Sequence, residues 1–328
     1  MTIEGRNNGV DLFRLIGAFF IMLLHNKYGE LSSSVVGNIA LFSRWAVPFF
    51  FITSGFYLGR KITNKGNSDF EIIKKNVIHL ISILIISSLV FLPVNFIQGN
   101  YFFPISIILS GSYFHLWFIG SLLFGFISIW FIYAIGKQRY LPHLSALILL
   151  YALFCDSYDL FFNVSMSFDF ARFLLAIPFM FIGILFSKKN FSNGKNYKVL
   201  AFTIIVVGAL IQYLEASFFE FLYNYQRGLH QLLVGTVIMS AGVFLFSIML
   251  DRPGNYFSYL GKKYALFIYL YHPVTYLLIL KMIKSFDLEN TVFQVLQPPT
   301  GFVITLLAAL FLEKYFANIF NVLEGKIN

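Results

Sequence analysis

Residues 9–25 read GVDLFRLIGAFFIMLLH and are apolar except for Asp11, Arg14 and His25. A run of this length and composition is typical of a helix that crosses about 30 Å of hydrocarbon. An α-helix turns about 100° per residue, so Arg14 and His25 lie on one face and roughly 16 Å apart along its axis. Asp11, one turn before Arg14, is placed to pair with that guanidinium. The stretch therefore predicts a transmembrane helix with polar groups at two depths.

The remaining sequence repeats this apolar pattern. Hydrophobic residues make up 58% of the 328 residues and charged residues only 12%, which excludes a soluble globular protein. Transmembrane strands would alternate polar and apolar positions, so the spans are helices. We expect an all-α polytopic membrane protein with about ten transmembrane helices, forming a single domain over residues 1–328 with no appended soluble domain. The expected spans are residues 9–27, 36–59, 75–98, 115–136, 141–155, 169–187, 198–215, 228–250, 259–282 and 299–322, with a short interfacial or re-entrant segment at 100–112.

Lys and Arg concentrate in every second connection between these spans, as they do on the cytoplasmic side of membrane proteins. The basic connections are residues 60–75, 137–139, 188–198 and 252–263. Both termini are therefore expected in the cytoplasm. The net charge of +9 follows from this topology, so no nucleic-acid partner is expected. The single cysteine, Cys155, and the lack of a Cys/His cluster give no indication of a metal site.

Ionisable residues from helices far apart in sequence are predicted to lie at similar depths near the outer face. Arg44 is expected about two turns inside the helix 36–59, and Glu215 at the end of the helix 198–215. A charge alone in lipid costs about 2.5–3.5 kcal/mol, so we expect these groups to share a polar cavity that opens outward. Arg14 lies instead near the cytoplasmic end, which suggests two ligands arriving from opposite sides. The outer group comprises His25, Arg44, His115, Arg172, Glu215 and His272.

Four motifs in this order resemble those of the acyltransferase family 3 membrane proteins. They are GVDLFR at residues 9–14 followed by His25, RWAVPFFFITSGF at 44–56, HLWF at 115–118 and YLYHP at 269–273, and the resemblance covers about residues 8–320. The resemblance implies a multi-pass enzyme of the bacterial cytoplasmic membrane. Such an enzyme moves an acyl group, here expected to be acetyl, from cytoplasmic acyl-CoA to a hydroxyl of an extracytoplasmic glycan or small acceptor. It also implies that His25 is the catalytic histidine and that Arg14 acts on the donor.

Acyl transfer from a thioester to a hydroxyl needs a base and a hydrogen-bond donor that stabilises the oxyanion. Histidine titrates near neutral pH, so His25 is the candidate base, or the site of a transient acyl-imidazole. Asp11 is the second catalytic candidate. Arg14, Lys74 and Lys75 are expected to bind the donor phosphates, since guanidinium groups bind phosphate in a bidentate manner. A simpler role stays open for Asp11 and Arg14, that of an ion pair that fixes the topology.

The candidate acceptor-binding residues are the outer polar side chains, which would orient the acceptor or stabilise the oxyanion. Structural roles remain open for several of them: packing in the helix core for His272, and snorkelling to the interface for Arg44 and Arg172. The acceptor-binding candidates are Arg44, His115, Asp156, Arg172, Glu215 and His272.

A looser resemblance, for example in the character of residues 155–158, links the chain to the membrane domain of the vancomycin-resistance serine racemases. It implies an alternative function, a transporter or binding module for a small amino acid such as L-serine. Arg44 or Arg172 would then bind the carboxylate, and Glu215 or Asp156 the ammonium group. Because the sequence carries no racemase domain, we expect an enzyme first and a carrier second.

Overall fold

The structure is a computed structural model that describes residues 6–25, 33–65, 70–99, 110–189, 195–250, 254–285 and 291–326. Over these residues the chain is α-helical without strands, which confirms the expected fold class. The α-helices of the described ranges are α1 (Asn8–His25), α2 (Ser33–Ser43), α3 (Ala46–Lys65), α4 (Glu71–Ile97), α5 (Trp117–Ala134), α6 (Leu141–Asp156), α7 (Phe168–Leu174), α8 (Ala176–Ser187), α9 (Lys195–Tyr223), α10 (Val234–Met249), α11 (Tyr256–Ser285), α12 (Thr291–Tyr315) and α13 (Ala317–Leu323).

Eight helical segments in the described part of the chain are long and apolar enough to cross a membrane, as a polytopic membrane protein requires. The shorter helices α10 and α6, each of 16 residues, occupy two further expected spans. Residues 100–109, most of the expected re-entrant segment, lie outside the described residues, and the orientation of the chain stays a prediction. The eight segments are Asn8–His25, Ser34–Ile62, Glu71–Ile97, Trp117–Ala134, Phe168–Ser187, Asn196–Tyr223, Tyr256–Ile283 and Val295–Tyr315.

The second expected span is interrupted at Arg44. α2 ends one residue before Arg44 and α3 begins two residues after it, so the expectation of one continuous helix over 36–59 was wrong at this point. The Arg44 N–H donates to the Leu41 carbonyl at 3.1 Å and closes a turn. Pro48 follows in the first turn of α3, where its missing N–H costs nothing. Arg44 therefore lies in a two-residue turn, not two turns inside a helix.

The seventh expected span is longer than predicted. α9 continues to Tyr223, beyond the expected end at Glu215. The additional turns carry Ala216 and Phe219, which are buried with Leu233 in a small hydrophobic core. Burial of this apolar face stabilises the extension, because tertiary packing supplies most of the stability of a helix. Glu215 therefore lies within α9 and does not end it.

The chain forms two compact units. The first, here called the α1 unit, comprises Met1–Phe50, Asp156–Met166 and Phe191–Phe311. The second, called the α5 unit, comprises Phe51–Cys155, Ser167–Asn190 and Leu312–Asn328. Most candidate site residues belong to the α1 unit, and those that belong to the α5 unit are Lys74, Lys75, His115 and Arg172.

Within the α1 unit, α1 packs against α2, α10 and α11. Gly261 permits the contact with α11, because a Cβ atom at this position would lie 1.9 Å from the Asp11 carbonyl oxygen. Towards the other end of α1, the Tyr276 hydroxyl of α11 donates to the Met22 carbonyl at 2.6 Å. These contacts fix α1 along α11 at both ends.

The backbones of α9 and α10 also come into direct contact. A Cβ atom on Gly235 would lie 2.1 Å from the backbone nitrogen of Gln212, and one on Gly208 would lie 2.4 Å from that of Met239. Small residues permit this approach in membranes, where van der Waals packing and hydrogen bonds hold helices together. The two helices therefore form a closely packed pair within the α1 unit.

In the α5 unit, α5 packs against α4, α7 and α8. The Ser121 hydroxyl of α5 donates to the Phe173 carbonyl at 2.8 Å, near the junction of α7 and α8. The rings of Phe51 and Phe118 lie 4.7 Å apart and join α3 to α5. This packing places α7, which carries Arg172, beside the first turn of α5.

Candidate functional site

Two histidines of the α1 unit lie ring against ring. His25 is the last residue of α1 and is half-buried, whereas His272 of α11 is fully buried. Their ring centroids are 5.6 Å apart and the planes differ by only 15°, which is a stacked arrangement. The structure thus brings together two predicted site residues from helices at opposite ends of the sequence.

The orientation of His272 follows from the proline after it. In an α-helix the Tyr269 carbonyl would accept from the N–H of residue 273, but Pro273 has no N–H. The His272 Nδ1 atom lies 2.8 Å from that carbonyl. A carbonyl only accepts, so Nδ1 carries a proton and donates it to Tyr269.

At the other end of α1, one buried carboxylate binds two guanidinium groups. Asp11 accepts from Arg6 at 2.7 Å (Nε to Oδ2) and 2.9 Å (Nη2 to Oδ1), and from Arg14 Nη1 at 3.3 Å. The Asp11 side chain is only 2% exposed, against 32% for Arg6 and 20% for Arg14. A buried carboxylate needs such pairing. The expected pair of Asp11 with Arg14 is present, and Arg6 makes the shorter contacts.

Asp11 does not lie beside His25. Both belong to the single helix α1, and at 1.5 Å per residue they are separated by about 21 Å along its axis. Asp11 is therefore placed to orient the two arginines, and its side chain cannot reach the His25 ring.

A third polar cluster joins Asp156, Ser157 and His230. The Ser157 Oγ atom lies 2.8 Å from Asp156 Oδ2 and 2.6 Å from His230 Nδ1. Asp156 also accepts from the backbone N–H groups of Gln231 and Leu232 at 2.9 Å and 3.0 Å. Burial raises the pKa of Asp156, and the two backbone N–H groups and the Ser157 hydroxyl oppose that rise. In the carboxylate form Asp156 accepts from the serine hydroxyl, and His230 Nδ1 then donates to the serine. The aspartate thereby fixes the tautomer of His230.

His230 is held neutral in this cluster. Burial, and then the positive charge of Arg44, lower the pKa of His230 to about 4. Its Nε2 atom is buried, with no hydrogen-bond partner among the described residues. The Arg44 Nη2 atom donates to the Gly228 carbonyl at 2.9 Å, in the turn that leads to His230. The predicted acceptor-binding residues Arg44 and Asp156 thus act on the same short segment.

Glu215 binds the start of α10. Its carboxylate accepts from the N–H groups of Val234 at 3.2 Å and Gly235 at 2.8 Å, which have no partner within the helix. A negative charge at a helix N-terminus is stabilising. The Tyr158 hydroxyl also donates to Glu215, and burial followed by this hydrogen bond raises the pKa of Tyr158. Glu215 and Asp156 therefore both bind backbone amides of residues 231–235.

In the α5 unit, His115 contacts the Phe91 ring and Arg172 lies over the Trp117 ring. His115 precedes α5 by two residues and is buried, with the Phe91 ring edge-on at a centroid distance of 5.1 Å. The Arg172 guanidinium lies 5.3 Å from the Trp117 ring centroid and 3.6 Å from Asp169. A cation over an aromatic face in this range is attracted to it. Each of the two residues is therefore surrounded by aromatic rings, His115 by those of Phe91 and Tyr113 and Arg172 by those of Trp117 and Phe168.

Lys74 and Lys75 lie on the exposed side of α4. Lys74 pairs with Glu71 at 2.6 Å, one turn earlier, an exposed ion pair of small energetic value. Both lysines reach solvent, as a donor-binding role requires, and that role stays a prediction.

The sequence analysis missed Arg6 and His230. Arg6 lies before the apolar stretch, five residues from Asp11, so helical periodicity does not place it. His230 lies 73 residues from Ser157, a separation at which no spacing rule pairs side chains. For Arg6 alone the sequence held a weak signal, because this basic residue comes just before a predicted helix that carries an acidic residue, Asp11, near its start.

A family model described as an acyltransferase domain matches residues 7–313. An amino-acid racemase from Enterococcus faecalis is 28% identical over 224 residues, which are 60% of this chain and 30% of the relative. A serine/alanine racemase from Enterococcus gallinarum is 23% identical over 304 residues, 82% of this chain and 41% of the relative. The chain spans less than half the length of these curated relatives. No solved structure gives a significant match.

Proposed function

Because the chain belongs to the acyltransferase family 3, we propose that it is a membrane O-acyltransferase that uses acyl-CoA, acetyl-CoA in the simplest case. The acyl group passes from the cytoplasmic donor to a hydroxyl of an extracytoplasmic acceptor, a glycan or a small molecule, at the cell membrane. The observation that supports this most directly is the stacked pair of His25 and His272 at the end of α1.

His25 acts as the base in this reaction. Its imidazole takes the proton of the acceptor hydroxyl as the new C–O bond forms, and the C–S bond of the thioester then breaks to release the CoA thiol, which takes up a proton. If the imidazole itself attacks first, the same ring carries the acyl group before the hydroxyl receives it. His272, anchored through the Tyr269 carbonyl, holds the ring plane of His25 by stacking.

The donor lies along α1. Arg14 binds its phosphates, with Lys74 and Lys75 as further candidates, and the thioester arm covers the roughly 16 Å from Arg14 to His25. Arg44, Arg172 and His115 are the candidates that orient the acceptor or stabilise the oxyanion. Asp156 and Glu215 are weaker candidates, because their carboxylates already accept backbone N–H groups.

The test is transfer of radiolabel from acetyl-CoA by the purified full chain in lipid nanodiscs, with a panel of glycans and hydroxylated small molecules. We expect an acetyl-CoA-dependent labelled product that His25→Ala abolishes at an unchanged melting temperature. His143→Ala is the matched control, since His143 is exposed on α6. Transfer that survives in His25→Ala contradicts the assignment of the base.

An amino-acid carrier is the second candidate. The names of the relatives, amino-acid racemase and serine/alanine racemase, favour an amino acid as its ligand. A carrier needs no acyl donor. Uptake of labelled L-serine into proteoliposomes, unaffected by His25→Ala and by removal of acetyl-CoA, would favour it over the enzyme.

A further inference from the structure

We propose that His230 and Tyr225 bind a hydroxyl group of a small neutral acceptor such as a sugar. The Nε2 atom of His230 accepts a hydrogen bond from this hydroxyl, and the Tyr225 hydroxyl donates one to its oxygen. Ser157 and Asp156 are positioning residues that hold the His230 ring. The inference rests on the proposed function, which requires a hydroxylated acceptor. All four residues belong to the α1 unit.

The first support is a buried nitrogen atom that the fold leaves without a bond. His230 is only 1% exposed, and its Nε2 atom has no hydrogen-bond partner in the part of the chain that the structure describes. Buried polar atoms are almost always hydrogen-bonded, because one without a partner is costly to the fold. Such an atom is expected where a ligand supplies the missing hydrogen bond.

The hydrogen bonds on the other side of the ring decide what Nε2 offers to a ligand. With Asp156 ionised, the Ser157 hydroxyl donates to Asp156 and accepts from His230 Nδ1 at 2.6 Å. Burial and the positive charge of Arg44 keep the ring neutral by lowering the pKa of His230 to about 4. A neutral imidazole with its proton on Nδ1 has an acceptor at Nε2. The matching group of the ligand is therefore a hydrogen-bond donor.

The second support is Tyr225, whose ring lies 4.8 Å from that of His230 between centroids. Tyr225 is half-buried and its sequence neighbours on both sides are exposed, so it connects the buried histidine to the surface. Its hydroxyl forms no hydrogen bond within the described ranges. Burial and the negative charges of Asp156 and Asp159 raise the pKa of Tyr225. The hydroxyl therefore keeps its proton and is able to donate it.

One acceptor and one donor on adjacent rings match a hydroxyl group, which donates and accepts at once. An ammonium group only donates, and it would bring a second positive charge to a ring on which the charge of Arg44 already acts. Phe219, with its ring centroid 5.4 Å from that of His230, adds an apolar surface suited to the C–H groups of a sugar. These features favour a neutral hydroxylated molecule over an amino acid.

The experiment titrates N-acetylglucosamine, with inositol as a second neutral probe, into the purified full chain in lipid nanodiscs without acetyl-CoA. Saturation-transfer NMR measures the affinity. His230→Asn keeps a nitrogen near the position of Nδ1, facing Ser157, and removes Nε2, whereas Tyr225→Phe removes only the hydroxyl. Each variant should weaken binding of the probes by about 10-fold, the loss of one hydrogen bond, at an unchanged melting temperature.

Two matched controls keep the same substitutions away from the site. His143→Asn changes an exposed histidine of α6. Tyr223→Phe changes an exposed tyrosine at the end of α9 whose ring lies 6.2 Å from that of Phe219. Both should bind the probes as the wild type does. His230→Gln, which can place an amide oxygen near the position of Nε2, should recover part of the affinity.

Ser157→Ala tests the positioning role, because it removes the partner of Nδ1 and leaves Nε2 in place. NMR of the ¹⁵N-histidine-labelled chain should show the proton of His230 on Nδ1 in the wild type, and a shift of the Nε2 resonance when the probe is added. Ser157→Ala should give a mixture of tautomers and weaker binding. A lower melting temperature with an unchanged tautomer overturns the positioning role, and a wild-type proton on Nε2 overturns the inference.

The remaining outcomes keep this inference distinct from the proposed function. A wild type that binds neither neutral probe overturns the inference. Equal affinities of the wild type, His230→Asn and Tyr225→Phe also overturn it, and leave the proposed function to the acetyl-transfer assay. Weaker binding of L-serine in the two variants, at unchanged affinity for the neutral probes, overturns the assigned class of ligand. Probe binding that depends on both residues, without acetyl transfer by the wild type, supports this site and contradicts the enzyme.

Discussion

The two ends of α1 satisfy polar groups in an apolar chain by different means. At the N-terminal end, the Asp11 carboxylate forms ion pairs with both Arg6 and Arg14. At the C-terminal end, His25 stacks on His272, which is anchored by a backbone carbonyl. Fixed charges suit the binding of an anion, and imidazole suits a step in which a proton moves. In the proposed reaction, one helix thereby separates donor binding from proton transfer along its length.

The largest effect expected from this comparison is on turnover. His25→Ala should lower kcat by about 10²–10⁴-fold, the usual contribution of a general base, while the KM for acetyl-CoA changes little. Steady-state release of the CoA thiol measures both constants. An unchanged kcat would remove His25 from the chemical step.

At the other end of α1, substitution of Arg14 is expected to change the KM and not the kcat. Arg14→Gln should raise the KM for acetyl-CoA by about 10-fold, since a charged hydrogen bond to phosphate is lost, with kcat close to that of the wild type. The same thiol assay measures it, with Lys188→Gln as control. A loss confined to kcat would show that the two ends do not divide the reaction as proposed.

Weakening the hydrogen bond that anchors His272 to the Tyr269 carbonyl should have a smaller effect on kcat. Pro273→Ala restores an N–H that competes with His272 Nδ1 for the Tyr269 carbonyl. We expect kcat to fall about 2- to 10-fold, the value of one hydrogen bond. The melting temperature should not fall, because alanine is the better helix former. A fall in both would indicate misfolding and not loss of the anchor.

The smallest effect concerns His230, a neutral histidine outside the membrane-spanning segments. Its pKa is about 4 in the fold, lowered from 6.5, so the unfolded chain binds more protons between these values and stability should fall as the pH falls from 6.5 towards 4. The charged and titratable neighbours of His230 are Arg44, Asp156 and Tyr225. His230→Gln should make the melting temperature depend less on pH over this range. His143→Gln should keep the pH dependence of the wild type. The same pH dependence of the melting temperature in the wild type and both variants would contradict a buried, neutral His230.

Much of the fold could be predicted from the sequence because the lipid phase dictates it. A span must be apolar and must satisfy its own backbone, so hydropathy locates helices such as α1 and α4. The helix boundaries were less predictable. The turn at Arg44 and the extension of α9 beyond Glu215 depend on packing between segments distant in sequence, which hydropathy does not describe.

The candidate site was predictable where it lies within one helix. Asp11 and Arg14 are three residues apart, and their pairing follows from helical geometry alone. The stacking of His25 on His272 joins residues 247 positions apart, so periodicity alone could not place them together. The clusters at Arg6 and at His230 are formed by side chains that reach across turns. The fold of the chain, and not the spacing in the sequence, brings these side chains together.

The glycine contacts between α9 and α10 have a mechanical consequence. Gly235 touches the Gln212 backbone, and its N–H is bound by Glu215, one turn further along α9. The same residue therefore carries both the closest approach and a charged hydrogen bond, so neither helix slides or rotates past the other without breaking one of them. A rearrangement of the α1 unit that keeps both contacts would move α9 and α10 together.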